Sequence, residues 1–339
     1  MRLAPIGRQS TVGGSLLPTA VNSLHNIAMP AIPVIYDCDP GVDDAVALFL
    51  AFAARDAIEL LGVTTVGGNV AGELTARNAC LVREWAGRED VPVHAGCEGP
   101  LFLPAVDAQH FHGESGLGTL PIHTPRLGVA PGHAANFIVE QLRARPVGTV
   151  TLAVSGPLTN LALALRLAPD IAPRIAGVAW MGGARTAGGN ITASAEYNAY
   201  ADPHAAAIVA AAGVPFHVFG LDCTHQVRSS AARRAALRAL GAPNAARVEQ
   251  LLAFADALPA NQDRGFGTAL HDPCVIAWLL RPGLFTFQPC HLQLSTEAGL
   301  TRGHTAVEFR TSAAQPVNAQ WATGADAEGV FALLNERLA

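Results

Sequence analysis

Hydrophobic positions fall in short continuous runs separated by longer Ala- and Leu-rich stretches with helical spacing. The runs cover 32–36, 58–66, 150–154, 175–180 and 216–219. Unbroken apolar runs of this length suit strands buried on both faces, and so a mostly parallel sheet with helices on each side. Helical stretches fall between them at 43–54, 74–86, 133–143, 158–167 and 203–212, and later at 230–240, 245–258, 273–280 and 328–338. The segments 291–294 and 305–309 alternate apolar and polar residues across a Gly-containing stretch, the pattern of a strand pair. The expected fold class is therefore α/β: a mostly parallel central sheet flanked by helices, Rossmann-like, with a small late strand-pair insertion. Residues 1–30 lack periodicity and read as a loose N-terminal extension, with Met29 a candidate start of translation. Residues 31–339 read as one domain.

The residues that end these runs carry the first functional signal. They are Asp37-Cys38-Asp39, Gly67-Gly68-Asn69, Ser155-Gly156-Pro157, Met181-Gly182-Gly183 and Gly220-Leu221-Asp222. In open parallel sheets the ligand crevice lies outside the carboxyl ends of the strands. Small and polar groups from five segments are thus expected to converge there.

Composition narrows the class. Of 339 residues, 50% are hydrophobic and only 14% charged, which excludes a disordered chain. The net charge is −5 and every one of the 22 basic residues is Arg, which excludes a generally basic nucleic-acid-binding surface. The six cysteines are scattered with no CxxC pair, so thiols in a reducing cytoplasm are expected, and a cytoplasmic location with them. No apolar run approaches the ~18–20 residues of a membrane span, and the first 30 residues lack the apolar core of a signal peptide.

Asp37-Cys38-Asp39-Pro40-Gly41-Val42-Asp43-Asp44-Ala45 places four carboxylates within eight residues, after a buried strand and before an apolar helix. Pro40-Gly41 supplies a tight turn that lets Asp39 face Asp43 and Asp44. Carboxylates crowded in this way repel one another unless a cation is present, and an all-oxygen set suits a hard cation such as Ca²⁺ or Mg²⁺. Capping of the helix by Asp43 or Asp44 is the plainer alternative. A phosphohydrolase of the haloacid-dehalogenase type also has a DxD after its first strand, but here its expected Thr is absent and the turn differs. The Gly67-Gly68 and Gly182-Gly183 pairs form neither a P-loop nor a Rossmann fingerprint, so nucleotide-cofactor binding is unsupported.

The run from Asp37 to Ala45 resembles the N-terminal signature of the inosine–uridine-preferring nucleoside hydrolases. The resemblance continues through 63–69, His112-Gly113-Glu114-Ser115-Gly116, Ser155-Gly156-Pro157-Leu158-Thr159-Asn160 and Met181-Gly182-Gly183. It goes on through Gly189-Asn190, Ala195-Glu196-Tyr197-Asn198, Asp202-Pro203, 221–225 and His271-Asp272-Pro273. It covers the chain from about residue 32 onward.

This resemblance implies Ca²⁺-dependent hydrolysis of the N-glycosidic bond of inosine- or uridine-type ribonucleosides. Asp39, Asp44, Asp272 and the backbone carbonyl of Ser155 would hold the ion, with Ser155 standing where the family often has Thr. Asp39 would be the general base, and Asp39, His271 and Asn198 the catalytic set, with His271 the acid for the leaving base. Asp43, Asn69, Asn190, Glu196, Asn198 and Met181 would hold the ribose, and His112 would lie in the base pocket. A homodimer or homotetramer with a small-molecule partner is implied, with no nucleic acid and no membrane. Each residue has a local alternative: His271-Asp272 as a helix-start cap before Pro273, Glu196 as a surface acid, Asn198 as a turn residue, Met181 as core. His225 reads as structural. Trp85, Trp180, Trp278 and Trp321 lie where none would sandwich a purine, and segment 261–268 has Phe266 as its only aromatic. A same-fold hydrolase of another N-ribosyl compound, such as nicotinamide riboside, or a catalytically silent ribose-binding protein, are the alternatives to be separated.

Overall fold

The apolar runs become neighbouring strands. A computed structural model describes residues 30–259 and 267–339; residues 1–29 and 260–266, including Phe266, lie outside the described residues. The strands are β1 (Ile32–Cys38), β2 (Ile58–Thr65), β3 (Val93–Ala95), β4 (Val150–Val154), β5 (Ile175–Met181), β6 (Phe216–Phe219), β7 (Phe285–Leu294), β8 (Thr305–Glu308) and β9 (Ala319–Ala325). They form one nine-stranded sheet in the order β3-β2-β1-β4-β5-β6-β9-β7-β8. Neighbours from β3 to β9 are parallel, while β7 runs antiparallel to both β9 and β8. The 3-2-1-4-5-6 segment is the doubly wound order, whose switch point lies between β1 and β4.

The expected late strand pair is present, with Leu294 opposite Thr305 and His291 opposite Glu308. It extends the main sheet: β9 joins β6 on one side and β7 on the other. Strand β9 eluded the hydrophobic pattern because AQWATGA is mostly small or polar residues. The first half of β7 contains Pro289, which argues against a central strand. β8 covers only His291–Leu294, so at Pro289 β7 has β9 as its single strand neighbour.

The helices are α1 (Val42–Ala53), α2 (Gly72–Trp85), α3 (Gln109–His112), α4 (Ala134–Ala144), α5 (Thr159–Leu167), α6 (Tyr197–Ala201), α7 (Pro203–Ala210), α8 (Leu221–Thr224), α9 (Ala231–Ala239), α10 (Pro243–Asp256), α11 (Pro273–Leu280) and α12 (Ala327–Leu338). They cover both faces. Val34, Tyr36 and Cys38 of β1 point into one apolar cluster with α1, α10 and α11; Ile35 points into the other, with α4, α5 and α7. Every α1 residue except Asp43 and Ala53 is buried. A helix apolar all round must be enclosed on every side, and α1 packs against α2, α10, α11 and α12. Its N-terminus, which carries Asp43 and Asp44, is therefore fixed by the core.

Candidate active site

The strand register sets the level of the site. Asp37 is opposite Val154 and Cys38 opposite Thr65, so the loops after β1, β2 and β4 leave the sheet together. Gly41 is the N-cap of α1 and donates its N–H to Asp44 Oδ2 at 3.1 Å, while Asp39 N–H reaches Asp44 Oδ1 at 3.3 Å. A Cβ at position 41 would sit 2.3 Å from His112 Nδ1, so only glycine lets that ring approach. His112 Nδ1 accepts the N–H of Val42 at 3.0 Å. An acceptor Nδ1 requires the neutral ring, and burial, helped by His110, lowers the His112 pKa to about 4.

Asn69 ties the β2 loop to the β1 loop. Its N–H donates to Asp39 Oδ2 at 2.8 Å, and its Nδ2 donates to the Asp39 carbonyl at 3.1 Å and to Asp44 Oδ2 at 2.9 Å. The adjacent Gly68 leaves room for the carboxylate, since a Cβ there would lie 2.1 Å from Asp39 Oδ2. From β4, Ser155 Oγ donates to Asp44 Oδ1 at 2.7 Å. That hydroxyl hydrogen is committed, so Tyr36 is the donor in its 2.8 Å bond to Ser155 Oγ. Asp44 is thus gripped by two backbone and two side-chain donors.

Asp39, Asp44 and Asp272 are all buried. The carboxylates of Asp43, Asp44 and Asp272 offer oxygens within 4.8 Å of one another. Asp272 sits at the start of α11 but makes no side-chain cap hydrogen bond; its carboxylate goes to the cluster, so the helix-cap alternative does not describe it. Asp39 is outside this three-carboxylate grouping, and its Oδ2 accepts the Asn69 N–H. Its charge nevertheless acts on Asp272, and its Oδ1 is buried with no hydrogen-bond partner.

Burial raises the proton affinity of all four acids. The charge of Asp44 adds to it at Asp39 and at Asp43, which reaches about 7, and the charge of Asp43 adds to it at Asp272. Buried, mutually repelling carboxylates with an orphaned oxygen, and no nitrogen or sulfur donor in the group, fit a hard divalent cation.

A second polar group lines the same pocket. Glu196 is the N-cap of α6 and is buried. Its carboxylate accepts the N–H groups of Gly183, Asn198 and Ala199 at 2.8, 2.9 and 3.1 Å, so it is no surface acid. Burial raises its pKa to about 7. Asn190 Oδ1 accepts the Tyr197 N–H at 2.8 Å. Asn198 Nδ2 donates to the carbonyls of Ser155 (2.6 Å) and Met181 (3.0 Å), joining the ends of β4 and β5. Asp43, Asn69, Ser155, Met181, Asn190, Glu196, Asn198, His112, His271 and Asp272 line a single pocket; the buried Asp39 and Asp44 are hydrogen-bonded to its lining residues Asn69 and Ser155.

Other lining residues escaped the sequence reading: Phe111, Ile191, Leu252 and Leu258, with Arg228. His225, expected to be structural, is on the pocket wall with its ring 5.6 Å from that of His271. His271 Nδ1 is 2.8 Å from Thr224 Oγ1. Burial, then the neighbouring His225 and Arg228, lowers the His271 pKa to about 3, so the ring is neutral where a free imidazole would be titrating. The one local hint was Phe111, adjacent to His112. None of the four tryptophans lines the pocket.

Comparison with known proteins gives a consistent result. The model of the inosine-uridine preferring nucleoside hydrolase family matches residues 34–332. An uncharacterised Schizosaccharomyces pombe protein is 40% identical over 305 residues, 90% of this chain and 98% of its own. A pyrimidine-specific ribonucleoside hydrolase of Salmonella gallinarum is 39% identical, covering 91% of this chain and 98% of that protein. Among solved structures, a plant nucleoside hydrolase superimposes with a TM-score of 0.85 at 29% identity, over 91% of this chain and 99% of that one. A purine-preferring ribonucleoside hydrolase from Gardnerella vaginalis gives 0.84 at 29% identity, over 90% and 98%.

Proposed function

The chain belongs to the inosine-uridine preferring nucleoside hydrolases and is a glycosidase acting on N-glycosyl compounds, and from that premise we propose a cation-dependent hydrolysis of ribonucleosides with Asp39 as general base. The observation that carries the proposal is the buried Asp39 carboxylate: one oxygen is held by Asn69 and the other has no partner, beside the clustered Asp43, Asp44 and Asp272.

Asp39, Asp44, Asp272 and the Ser155 carbonyl would hold the ion, Ca²⁺ by the family resemblance. Such an ion supplies positive charge that offsets the carboxylates, engages sugar hydroxyls and lowers the proton affinity of water. Asp39 takes one proton from the water that adds to C1′. Asn69, held at Asp39 and Asp44, and Asn198, held at Ser155 and Met181, present fixed polar groups to the ribose. Breaking the C1′–N bond builds positive charge on the sugar, which the anionic Asp43 and Glu196 favour when ionised. The bond's electron pair leaves with the base. His271 meets it as a neutral imidazole whose Nδ1 is hydrogen-bonded to the Thr224 hydroxyl.

The test is reducing-sugar release from uridine, cytidine, inosine and adenosine, with Ca²⁺ and with a chelator. Ribose release that the chelator abolishes and Ca²⁺ restores is the expected result. Undiminished release in chelator would overturn the cation dependence, and binding of ribose analogues with no release of sugar would point to the silent homologue.

A further inference from the structure

Asn190, Glu196 and Asn198 line the pocket from a segment with little regular structure, the chain between β5 and the end of α6. Helix α6 has five residues, too few to hold its own shape. The turn between β7 and β8 grips this segment from outside the pocket. Thr305 Oγ1, at the start of β8, accepts the Ala184 N–H at 2.9 Å and donates to the Ala184 carbonyl; both residues are buried. His304 Nδ1 lies 3.1 Å from Ser194 Oγ and 3.3 Å from the Ser194 carbonyl oxygen. Arg302 Nε donates to the Tyr200 carbonyl at 2.9 Å and Nη2 to that of Ala201 at 3.2 Å, and the guanidinium lies over the Tyr200 ring. These are carbonyls that the end of a helix leaves without partners. Gly303 has φ +74°, and a Cβ there would fall 2.5 Å from Tyr200 Cα, so the two backbones are in direct contact. The turn is itself closed: Ser295 N–H donates to the His304 carbonyl and Gly303 N–H to that of Ser295, both at 2.9 Å. Arg302, His304 and Thr305 are not among the residues that line the pocket.

We propose that Thr305 and Arg302 are positioning residues for the hydrolysis, setting Asn190, Glu196 and Asn198 against the ribose without touching it. The inference rests on the N-ribosyl hydrolase reading. Glu196 bonds to Gly183, Asn198 and Ala199, and Asn190 to Tyr197, all within the segment or at its root. Such bonds shape the segment and leave its placement to anchors elsewhere. Asn198 supplies one, at the Ser155 and Met181 carbonyls. Asp222 supplies another, accepting the N–H groups of Arg185, Thr186 and Ala187 at 2.7, 2.7 and 3.1 Å. Thr305 and Arg302 fix the two ends, at Ala184 and at Tyr200 and Ala201. Loss of the Thr305 hydroxyl would leave both the N–H and the carbonyl of Ala184 buried and unpaired, and the segment would shift to satisfy them. A shift of about 1 Å in a substrate-positioning group can cost 10²-fold in rate. The carboxylates of Asp39, Asp44 and Asp272 stand on β1, α1 and α11, outside the gripped segment. The expected signature is therefore weakened handling of the ribose, alike for every base, with cation binding intact.

The experiment measures kcat/KM of the Ca²⁺-loaded enzyme for uridine and inosine, with Ca²⁺ affinity read by calorimetry on the nucleoside-free protein. Thr305→Val, which keeps the shape and removes the hydroxyl, should lower kcat/KM by about 10–100-fold and by the same factor on both nucleosides. Thr305→Ser, which keeps both hydrogen bonds, should restore it to within about threefold of wild type. Arg302→Met should cost about tenfold, again without regard to the base. In every variant Ca²⁺ affinity should stay within about twofold of wild type, because the substituted groups share no partner with the carboxylates. Thr305→Val or Arg302→Met with a lowered Tm and wild-type kcat/KM would overturn the proposal, leaving those residues a structural role alone. So would a parallel loss of Ca²⁺ affinity, or a loss confined to one nucleoside. Arg302→Met decides the matter if Thr305→Val does not fold. A wild-type enzyme that releases ribose from neither nucleoside overturns the hydrolase reading itself, and the proposal with it.

Discussion

The parts of the pocket proposed to receive the sugar and the base are built by different rules. At the proposed sugar end, polar atoms from the ends of β1, β2, β4 and β5 and from α1 and α6 are bonded to one another: Asn69 to Asp39 and Asp44, Ser155 to Asp44, Asn198 to Ser155 and Met181. Removing one member leaves buried partners unsatisfied, which costs more than the lost bond alone. At the proposed base end, Phe111 of α3 and Leu252 of α10 supply apolar surface beside His225, Arg228 and His271. The first design dictates chemistry and tolerates little change. The second, by the proposed reading, would tune preference and could be altered residue by residue.

That contrast can be broken by mutation, and the largest effect is expected at Asp39. Asp39→Asn keeps the shape and removes the proton acceptor, so kcat should fall by about 10³-fold, within the usual range for a general base. Near-wild-type turnover by the folded variant would end the assignment. Next comes Asn198→Ala, which strips donors from the Ser155 and Met181 carbonyls; kcat/KM is expected to drop roughly 10–100-fold on every nucleoside alike. A drop confined to one base would place Asn198 in the wrong half of the comparison.

A smaller effect comes from the cation itself. Burial raises the folded-state pKa of Asp43 from 3.8 to about 7 and of Glu196 from 4.5 to about 7. Such groups contribute most to stability in their protonated form, so the contribution is complete below about pH 4 and is lost as pH rises through 7. The cation-free protein should therefore melt a few degrees lower at pH 8 than at pH 5. Added Ca²⁺ should raise Tm more at pH 8, where protons no longer compete for the carboxylates. Equal Ca²⁺-induced shifts at the two pH values, measured by calorimetry, would contradict this. Smallest is Phe111→Ala, expected to raise KM by roughly tenfold with kcat little changed. A comparable loss of kcat would mean that the apolar wall contributes to the chemistry as well.

The same division governs what could be read from the sequence. Strands β1, β2, β4, β5 and β6 stood out as continuous apolar runs, and the 150–154 and 216–219 boundaries coincide with β4 and β6. The polar residues that follow them are local in sequence, so Asp39, Asn69, Ser155 and Met181 were legible as strand-end groups. Strand β9 was not, because its place is set by the strands on either side of it rather than by its own alternation. The base wall was least legible: Phe111, Arg228, Leu252 and Leu258 come from three distant segments, and an arginine or leucine carries no local mark of the cavity it will line. The low pKa of His271 depends on burial and on His225 and Arg228, and the free-residue value gave no hint of it.

The enclosure of α1 has a dynamic consequence. Its contacts with four other helices leave it no independent opening motion, so its amides should exchange with deuterium only when the whole molecule unfolds. The carboxylates at its tip are then a fixed anvil. The paired 227–229 and 268–270 segments, joined to each other by two backbone hydrogen bonds, should by contrast lose protection first.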